Sequence, residues 1–125
     1  MSAQNLSQFA GQKYVNVETY RKSGAGVVTP VWFAEDAGRF YIYSLADAGK
    51  VKRIRNNPRV RMMPCDIRGG PKGEWVDARA RILESPEAER AHRLLNKKYG
   101  LMKRIGNVFS KLLNRKRTAI AIEID

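Results

Sequence analysis

Hydrophobic and polar residues alternate with a period of two over most of the chain, which is the pattern of half-buried β-strands. In the first such segment Val15, Val17 and Thr19 share one face. The same alternation, bounded by polar or glycine-bearing turns, predicts six strands: Lys13–Thr19, Val27–Ala34, Arg39–Ser44, Arg59–Cys65, Glu74–Leu83 and Thr118–Ile124. Pro30 cannot donate a hydrogen bond to a strand ladder, so the second strand must place it at an edge or a bulge.

Three segments have helical spacing instead. Asp47–Asn57 predicts a short helix that ends before Pro58. A second helix begins at Ser85, an N-cap residue followed by proline and an acid, and runs to about Tyr99. Leu101–Leu113 has apolar residues at spacings of three and four, which predicts a third helix.

The order of these elements predicts one mainly-β domain over residues 1–125. A chain of 125 residues is one domain's worth of sequence. Hairpins dominate, and a short helix follows the third strand while a helical pair precedes the last. This order favours an antiparallel barrel with helices packed at its ends.

Composition excludes several classes of protein. No apolar run approaches the roughly 18 residues that a transmembrane helix needs, and the polar segment Met1–Gln8 lacks the features of a signal peptide. One cysteine, Cys65, cannot form an intramolecular disulfide, and with one histidine, His92, it cannot build a structural zinc site. We therefore expect Cys65 to be a small buried residue of a protein in the reducing cytoplasm.

Positive charge is the unusual property of the chain. There are 24 Lys and Arg residues against 12 Asp and Glu, which gives a net charge of +12. Such an excess argues for an anionic partner: a nucleic acid, a membrane surface or a small ligand that carries phosphate or carboxylate groups. Eight of the basic residues lie between Lys50 and Lys72, and ten lie between Arg90 and Arg117.

The first basic region begins with Gly49 and a helical turn of cations, directly after a strand. Backbone N–H groups at a helix start, the helix dipole and a lysine or arginine together make a phosphate site. The alternative interpretation is a solvated basic helix face, and spacing alone favours that alternative.

The second basic region is the helical pair. Its cations could bind RNA, anionic lipid or the acidic tail of a ligand, or they could be a solvated face over an apolar stripe. His92, within the first of these helices, is expected to be a surface or packed side chain. Trp32 and Trp75 are expected in the core or at its rim, with stacking on a planar ring as the alternative.

Four segments in order carry a family resemblance: Tyr14–Tyr20, Gly26–Phe33, Arg39–Ser44 and Gly49–Val60. Together they resemble the pyridoxamine 5′-phosphate oxidase-like superfamily of FMN-binding split β-barrels. The branch most similar is that of coenzyme F-420-dependent oxidoreductases. The most specific part is Gly-Lys-Val-x-Arg-Ile-x-x-Asn-Pro, from Gly49 to Pro58.

The resemblance implies a homodimer of six-stranded antiparallel split barrels with two cofactor sites at the interface. The cofactor would be FMN or coenzyme F-420, a deazaflavin, and the two basic regions favour the more anionic deazaflavin. By position the cofactor would contact the backbone and side chains of Thr29, Pro30, Val31 and Trp32. Around the phosphate, Lys50 would be the principal cation, with Gly49 allowing close approach and Ser44, Lys52 and Arg53 assisting.

The expected function is hydride transfer between this cofactor and a small molecule that the sequence does not identify. We expect no metal and name no catalytic side chain, since nothing in the sequence selects a proton donor between a tyrosine such as Tyr43 and a water. One alternative is a basic barrel for single-stranded nucleic acid, against which the absence of an RNA motif weighs. Another is a haem- or flavin-binding carrier on the same barrel.

Overall fold

The computed structural model describes residues 6–45, 48–84, 86–98 and 117–125, without the side chains of Leu45 and Arg117. Its elements are β1 Tyr14–Tyr20, β2 Gly26–Asp36, β3 Arg39–Leu45, α1 Gly49–Asn56, β4 Arg59–Cys65, β5 Val76–Ile82, α2 over residues 87–98 and β6 Arg117–Ile124. The strands form a closed barrel in the order β1-β2-β3-β6-β5-β4, and all neighbours are antiparallel. The predicted mainly-β six-stranded barrel is confirmed.

The barrel interior is filled by the apolar residues of the alternating strands. Val15 and Val17 of β1 pack there with Phe33 of β2 and with Phe40 and Ile42 of β3, and all five are almost completely buried. These are the positions that the period of two predicts, because alternate strand residues point to the same face of a sheet. Burial of such side chains is the main favourable contribution to folding.

Helix α1 adds Val51 and Ile54 to this interior core. Both residues lie on the same helix face as Lys50, which is also buried. The helix follows β3 directly and therefore brings its first turn to the barrel. This packing fixes where the basic segment sits.

Helix α2 packs on the outer wall of the barrel. Ala91 and Leu95 are completely buried, and Ala91 lies in a cluster with Tyr41 of β3 and with Ala119 and Ala121 of β6. Small alanines on β6 allow the helix to approach the sheet closely. The predicted helix Leu101–Leu113 lies outside the described residues.

Strand β2 changes partners part of the way along its length. Residues Gly26–Trp32 pair with β1, whereas Phe33–Asp36 pair with β3. β2 therefore pairs through one edge over Gly26–Trp32 and through its opposite edge over Phe33–Asp36. Among the described strands, the Gly26–Trp32 segment has no partner on the edge that faces β3 further along. Pro30 lies in this segment opposite Asn16, which confirms the prediction of an edge position for that proline.

Within the described ranges, no helix is both long and apolar enough to cross a membrane.

Candidate functional site

The N-terminus of α1 lacks a side-chain cap. Ala48 occupies the N-cap position and offers no side-chain hydrogen bond, and the first turn contains no acidic residue. The first N–H groups of any helix have no partner within the helix, and the helix dipole makes this end electropositive. The first turn of α1 is therefore suited to an anionic ligand.

Lys50, in this first turn, carries an amino group for which the described residues supply no compensating negative charge. Its side chain is only 9% exposed. Burial, and secondarily the positive charge of Arg53, lower the pKa of Lys50 from 10.5 to about 8. In the described part of the chain no carboxylate forms an ion pair with it. A buried ammonium without a partner is costly, which is the usual mark of a functional position.

Arg53 lies one turn further along α1, and its guanidinium turns back toward the helix start. Its Nε donates a hydrogen bond of 2.7 Å to Oγ1 of Thr19, a completely buried residue of β1. A Cβ placed on Gly49 would lie 2.7 Å from Nη1 of Arg53. A larger residue at position 49 would therefore displace the Arg53 guanidinium from this conformation.

A third cation extends the cluster. Burial lowers the pKa of Arg53, and the positive charge of Arg21, in the turn after β1, lowers it further. We name Arg21, Lys50 and Arg53 the cation cluster. Mutual repulsion among three positive groups is relieved when an anion binds between them.

Of the other predicted phosphate-binding residues, Lys52 is exposed on α1, outside the buried face that carries Lys50. Ser44 lies near the end of β3, opposite Thr118 of β6, and is partly buried. The structure thus brings Lys50, Arg53 and Gly49 together, and it places Lys52 apart from them.

The predicted ring-binding segment Thr29–Trp32 lies in the part of β2 that pairs with β1 alone. Its side chains alternate: Val31 packs on the barrel interior, whereas Trp32 packs on the outer side with Ala34 and Leu95. Since alternate residues share a face, Thr29 points with Val31 and Pro30 with Trp32. Because the four side chains lie on opposite faces of β2, one flat ring cannot contact all of them. It can contact the backbone edge of the segment.

Thr29 has an unsatisfied hydroxyl. Its Oγ1 is buried and has no hydrogen-bond partner among the described residues. Thr29 is opposite Val17 and so lies on the same face as Thr19, which holds Arg53. An unsatisfied buried hydroxyl near the cation cluster is available to a polar group of a ligand.

Sequence reasoning missed Thr19, Arg21 and a pair formed by His92 and Tyr43. The His92 Nδ1 lies 2.5 Å from the Tyr43 hydroxyl, and their ring centroids are 4.7 Å apart. Thr19 could have been noted as a polar residue at an inward position of β1. The His92 contact joins residues 49 positions apart, and no local pattern signals it.

Trp75 contacts a cation that is not part of the cation cluster. Trp75 stacks against Arg61, whose guanidinium carbon is 4.7 Å from the ring centroid, so Trp75 is a rim aromatic. Arg61 in turn pairs with Glu18. Within the described ranges, no group of three or more His, Cys, Asp or Glu side chains could hold a metal ion.

Comparison with known proteins identifies related sequences and structures. The profile of a family described as "Pyridoxamine 5'-phosphate oxidase" matches residues 1–125. No curated protein matches the sequence significantly. A FAD-binding protein from Mesorhizobium loti is 18% identical, with a TM-score of 0.67 over 100% of this chain and 89% of that one.

Two further solved structures have the same fold. An F420 reductase is 19% identical, with a TM-score of 0.60 over 95% of this chain and 91% of its own. A haem storage protein from Vibrio cholerae is 15% identical, with a TM-score of 0.67 over 98% of this chain and 88% of its own. At these identities the likeness establishes a shared barrel and leaves the ligand to be argued from the site.

Proposed function

The chain belongs to the pyridoxamine 5′-phosphate oxidase family, and from this premise we propose that it is an oxidoreductase that binds FMN or coenzyme F-420. The observation that carries the proposal is the buried, uncompensated Lys50 beside Arg53 at the uncapped start of α1. A phosphate group supplies the negative charge that this arrangement lacks.

The residues present fit a ligand with a phosphate at one end and a polar planar ring at the other. Gly49 leaves space beside Arg53, and the cation cluster supplies charge for the phosphate. The unsatisfied Oγ1 of Thr29 and the backbone edge of Gly26–Trp32 offer hydrogen bonds to polar atoms further along the ligand. The bound cofactor would supply hydride transfer, and the chain's own residues would bind and orient it.

The charge of the chain favours coenzyme F-420 over FMN. Both cofactors carry a phosphate, but the deazaflavin adds a lactyl group and a run of glutamates. The ten basic residues between Arg90 and Arg117, with no acidic residue among them, would neutralise such a tail. FMN needs only the cation cluster.

We also propose that two copies of the chain form a homodimer with the cofactor sites at their interface, acting on a small molecule in the cytoplasm. The edge of β2 left without a strand partner on its β3 side supports an interface there. A buried, reduced Cys65 is consistent with a reducing compartment.

A haem-binding carrier is the second candidate, because a haem storage protein has the same fold and His92 lies at the outer wall beside Tyr43. A visible absorption spectrum of the protein loaded with each candidate separates the possibilities. A Soret band at stoichiometric haem, together with no binding of either flavin-type cofactor, would favour the carrier.

Lys50→Ala should weaken the binding of both FMN and coenzyme F-420 by at least about tenfold, since a charge-assisted hydrogen bond to phosphate is lost. The dissociation constants of the wild-type protein and the variant are measured by fluorescence titration with each cofactor. The same titrations show which cofactor the wild-type protein prefers.

Lys52→Ala is the matched control, because it removes an equal charge from the exposed side of the same helix. Its dissociation constants should stay close to those of the wild-type protein at moderate ionic strength. Unchanged affinity in Lys50→Ala, or an equal loss in Lys52→Ala, would contradict the assignment of Lys50 to the phosphate.

Thr19→Val should weaken cofactor binding by about threefold to tenfold, less than Lys50→Ala does. Valine fills the same volume in the buried β1 position but cannot accept the hydrogen bond that holds Arg53. The same titration measures the effect, with Arg53→Ala alongside. The idea fails if Arg53→Ala lowers affinity while Thr19→Val does not, since Thr19 would then play no part in placing Arg53.

A further inference from the structure

The hairpin between β1 and β2 places Arg21 on the face of β1 that carries Thr19. The backbone N–H of Arg21 donates a hydrogen bond of 2.9 Å to the carbonyl oxygen of Ala25. The pairing of the two strands therefore continues one step beyond the pair of Tyr20 and Gly26. Because alternate residues of a strand share a face, Arg21 lies about 7 Å beyond Thr19 on the same face.

The loop that closes this hairpin is tight and fixes the backbone of Arg21. It consists of Lys22, Ser23 and Gly24, and the N–H of Gly24 donates a hydrogen bond of 2.8 Å to the carbonyl oxygen of Arg21. Gly24 has a φ of +92°, the left-handed conformation that typically ends a three-residue hairpin loop and that glycine adopts without strain. Arg21 is thus held by hydrogen bonds at both its N–H and its carbonyl group.

The three members of the cation cluster differ in burial. Lys50 is buried, Arg53 is partly buried and Arg21 is exposed. Arg53 connects the two ends of the cluster, because its Nη1 lies beside Gly49 and its Nε donates to Thr19. Among the described residues, no carboxylate forms an ion pair with any of the three. The positive charges therefore run from the start of α1 to the rim of the barrel.

One phosphate group does not compensate the whole cluster. A terminal phosphate carries a charge of about −2 at pH 7, which the two inner cations Lys50 and Arg53 already match. The third cation, Arg21, is close enough for its charge to lower the pKa of Arg53. A ligand that neutralises all three cations needs a second anionic group, located beyond the phosphate on the side of the hairpin.

We propose that Arg21 binds a carboxylate that follows the phosphate in the ligand, and that this contact makes the site selective for coenzyme F-420 over FMN. The inference rests on the proposed function, since it concerns the same site. In coenzyme F-420 a lactyl group joins the phosphate to the first glutamate, so a carboxylate follows within a few bonds. This length is comparable to the two-residue step from Thr19 to Arg21. A guanidinium suits a carboxylate, to which it can donate two parallel hydrogen bonds, whereas FMN ends at its phosphate.

Fluorescence titrations of the wild-type protein and Arg21→Ala with FMN and with coenzyme F-420 test this selectivity. Arg21→Ala should weaken the binding of coenzyme F-420 by about threefold to fivefold, the size expected for an exposed ion pair. The same variant should weaken the binding of FMN by less than about twofold, because Arg21 then acts on the phosphate only through a screened charge. The preference for coenzyme F-420, expressed as the ratio of the two dissociation constants, should therefore fall.

Lys22→Ala is the matched control, because it removes the same charge from the next residue, in the loop outside the strand pairing. Both of its dissociation constants should stay within about twofold of the wild-type values. Equal weakening of FMN and coenzyme F-420 in Arg21→Ala, unchanged binding of coenzyme F-420 in that variant, or an equal loss of preference in Lys22→Ala would each overturn the role of Arg21. Binding of neither cofactor to the wild-type protein would instead overturn the proposed function, and this inference with it.

Discussion

The ligand-free Lys50→Met variant is expected to be more stable than the wild-type protein by roughly 3 kcal/mol at pH 7. Burial and the neighbouring Arg53 lower the pKa of Lys50 from 10.5 to about 8, so the charged form is disfavoured in the folded state relative to the unfolded chain. Methionine keeps the apolar stem of the side chain and removes the charge. The wild-type protein alone therefore bears this cost.

The stability advantage of Lys50→Met over the wild-type protein should decrease as the pH rises. Below about pH 8 Lys50 is charged in both states, and the folded state bears the full cost. Between about pH 8 and pH 10.5 it is neutral when folded and charged when unfolded, so the wild-type protein gains stability relative to the variant. Above that range both states are neutral, and the ionisation cost disappears.

Urea denaturation of both proteins at pH 7 and pH 10, in buffers without phosphate, measures the effect as a difference in free energy of unfolding. Comparison with the variant removes the contributions of other groups that titrate in the same range. Lys52→Met, on the exposed side of α1, is the control and should show little difference at either pH. A Lys50→Met variant as stable as the wild-type protein at pH 7, or a difference that does not change with pH, would contradict the interpretation.

Such a result would explain why a costly residue lies at this position. A buried lysine without a carboxylate destabilises the empty protein, and a phosphate that binds beside it removes that penalty. The folded, ligand-free protein therefore carries an unfavourable free energy of charge burial. Removal of this cost when the phosphate binds adds to the binding free energy of the ligand. Arg53, which donates a hydrogen bond to Thr19, adds its positive charge beside Lys50.

Much of the fold could be predicted because strand alternation reports burial directly. Val15 and Val17 point into the barrel as their spacing predicts, and α1 ends before Pro58 as the helix-stop pattern predicts. The alternating pattern could not predict that β2 changes its partner strand along its length. A period of two assigns residues to faces, but it does not say which strand pairs with which edge.

The candidate site also contains residues that the sequence could indicate and residues that it could not. Gly49 and Lys50 could be named as candidates because glycine followed by cations at a helix start is a local pattern, but only the family resemblance favoured a phosphate site over a solvated helix face. Thr19 and Arg53 are 34 positions apart in the chain, and only the packing of α1 against β1 brings them into contact. The assisting role of Lys52 stays a prediction, and its exposed side chain lies outside the buried helix face that carries Lys50.

Phe40→Ala is expected to lower the free energy of unfolding by about 3–5 kcal/mol, a large part of the 5–15 kcal/mol that typically stabilises a domain. Phe40 is completely buried on β3, and its ring centroid lies 4.9 Å from Phe9 and 5.8 Å from Phe33. Removal of the ring leaves a cavity beside the two remaining aromatic side chains, Phe9 and Phe33, which rigid strands cannot close. Because Phe40 and Ile42 anchor β3 beside the position where β2 parts from it, we also expect weaker cofactor binding in this variant.

Urea denaturation measures the loss from Phe40→Ala, and Val28→Ala on β2 is its control. Val28 is 44% exposed, so shortening it removes little buried surface, and the free energy of unfolding should change by less than about 1 kcal/mol. If Phe40→Ala were as mild as Val28→Ala, the aromatic cluster would not be the centre of the core. The barrel would then depend on its strand ladders and on the packing of α2 more than on the interior that the alternating sequence predicts.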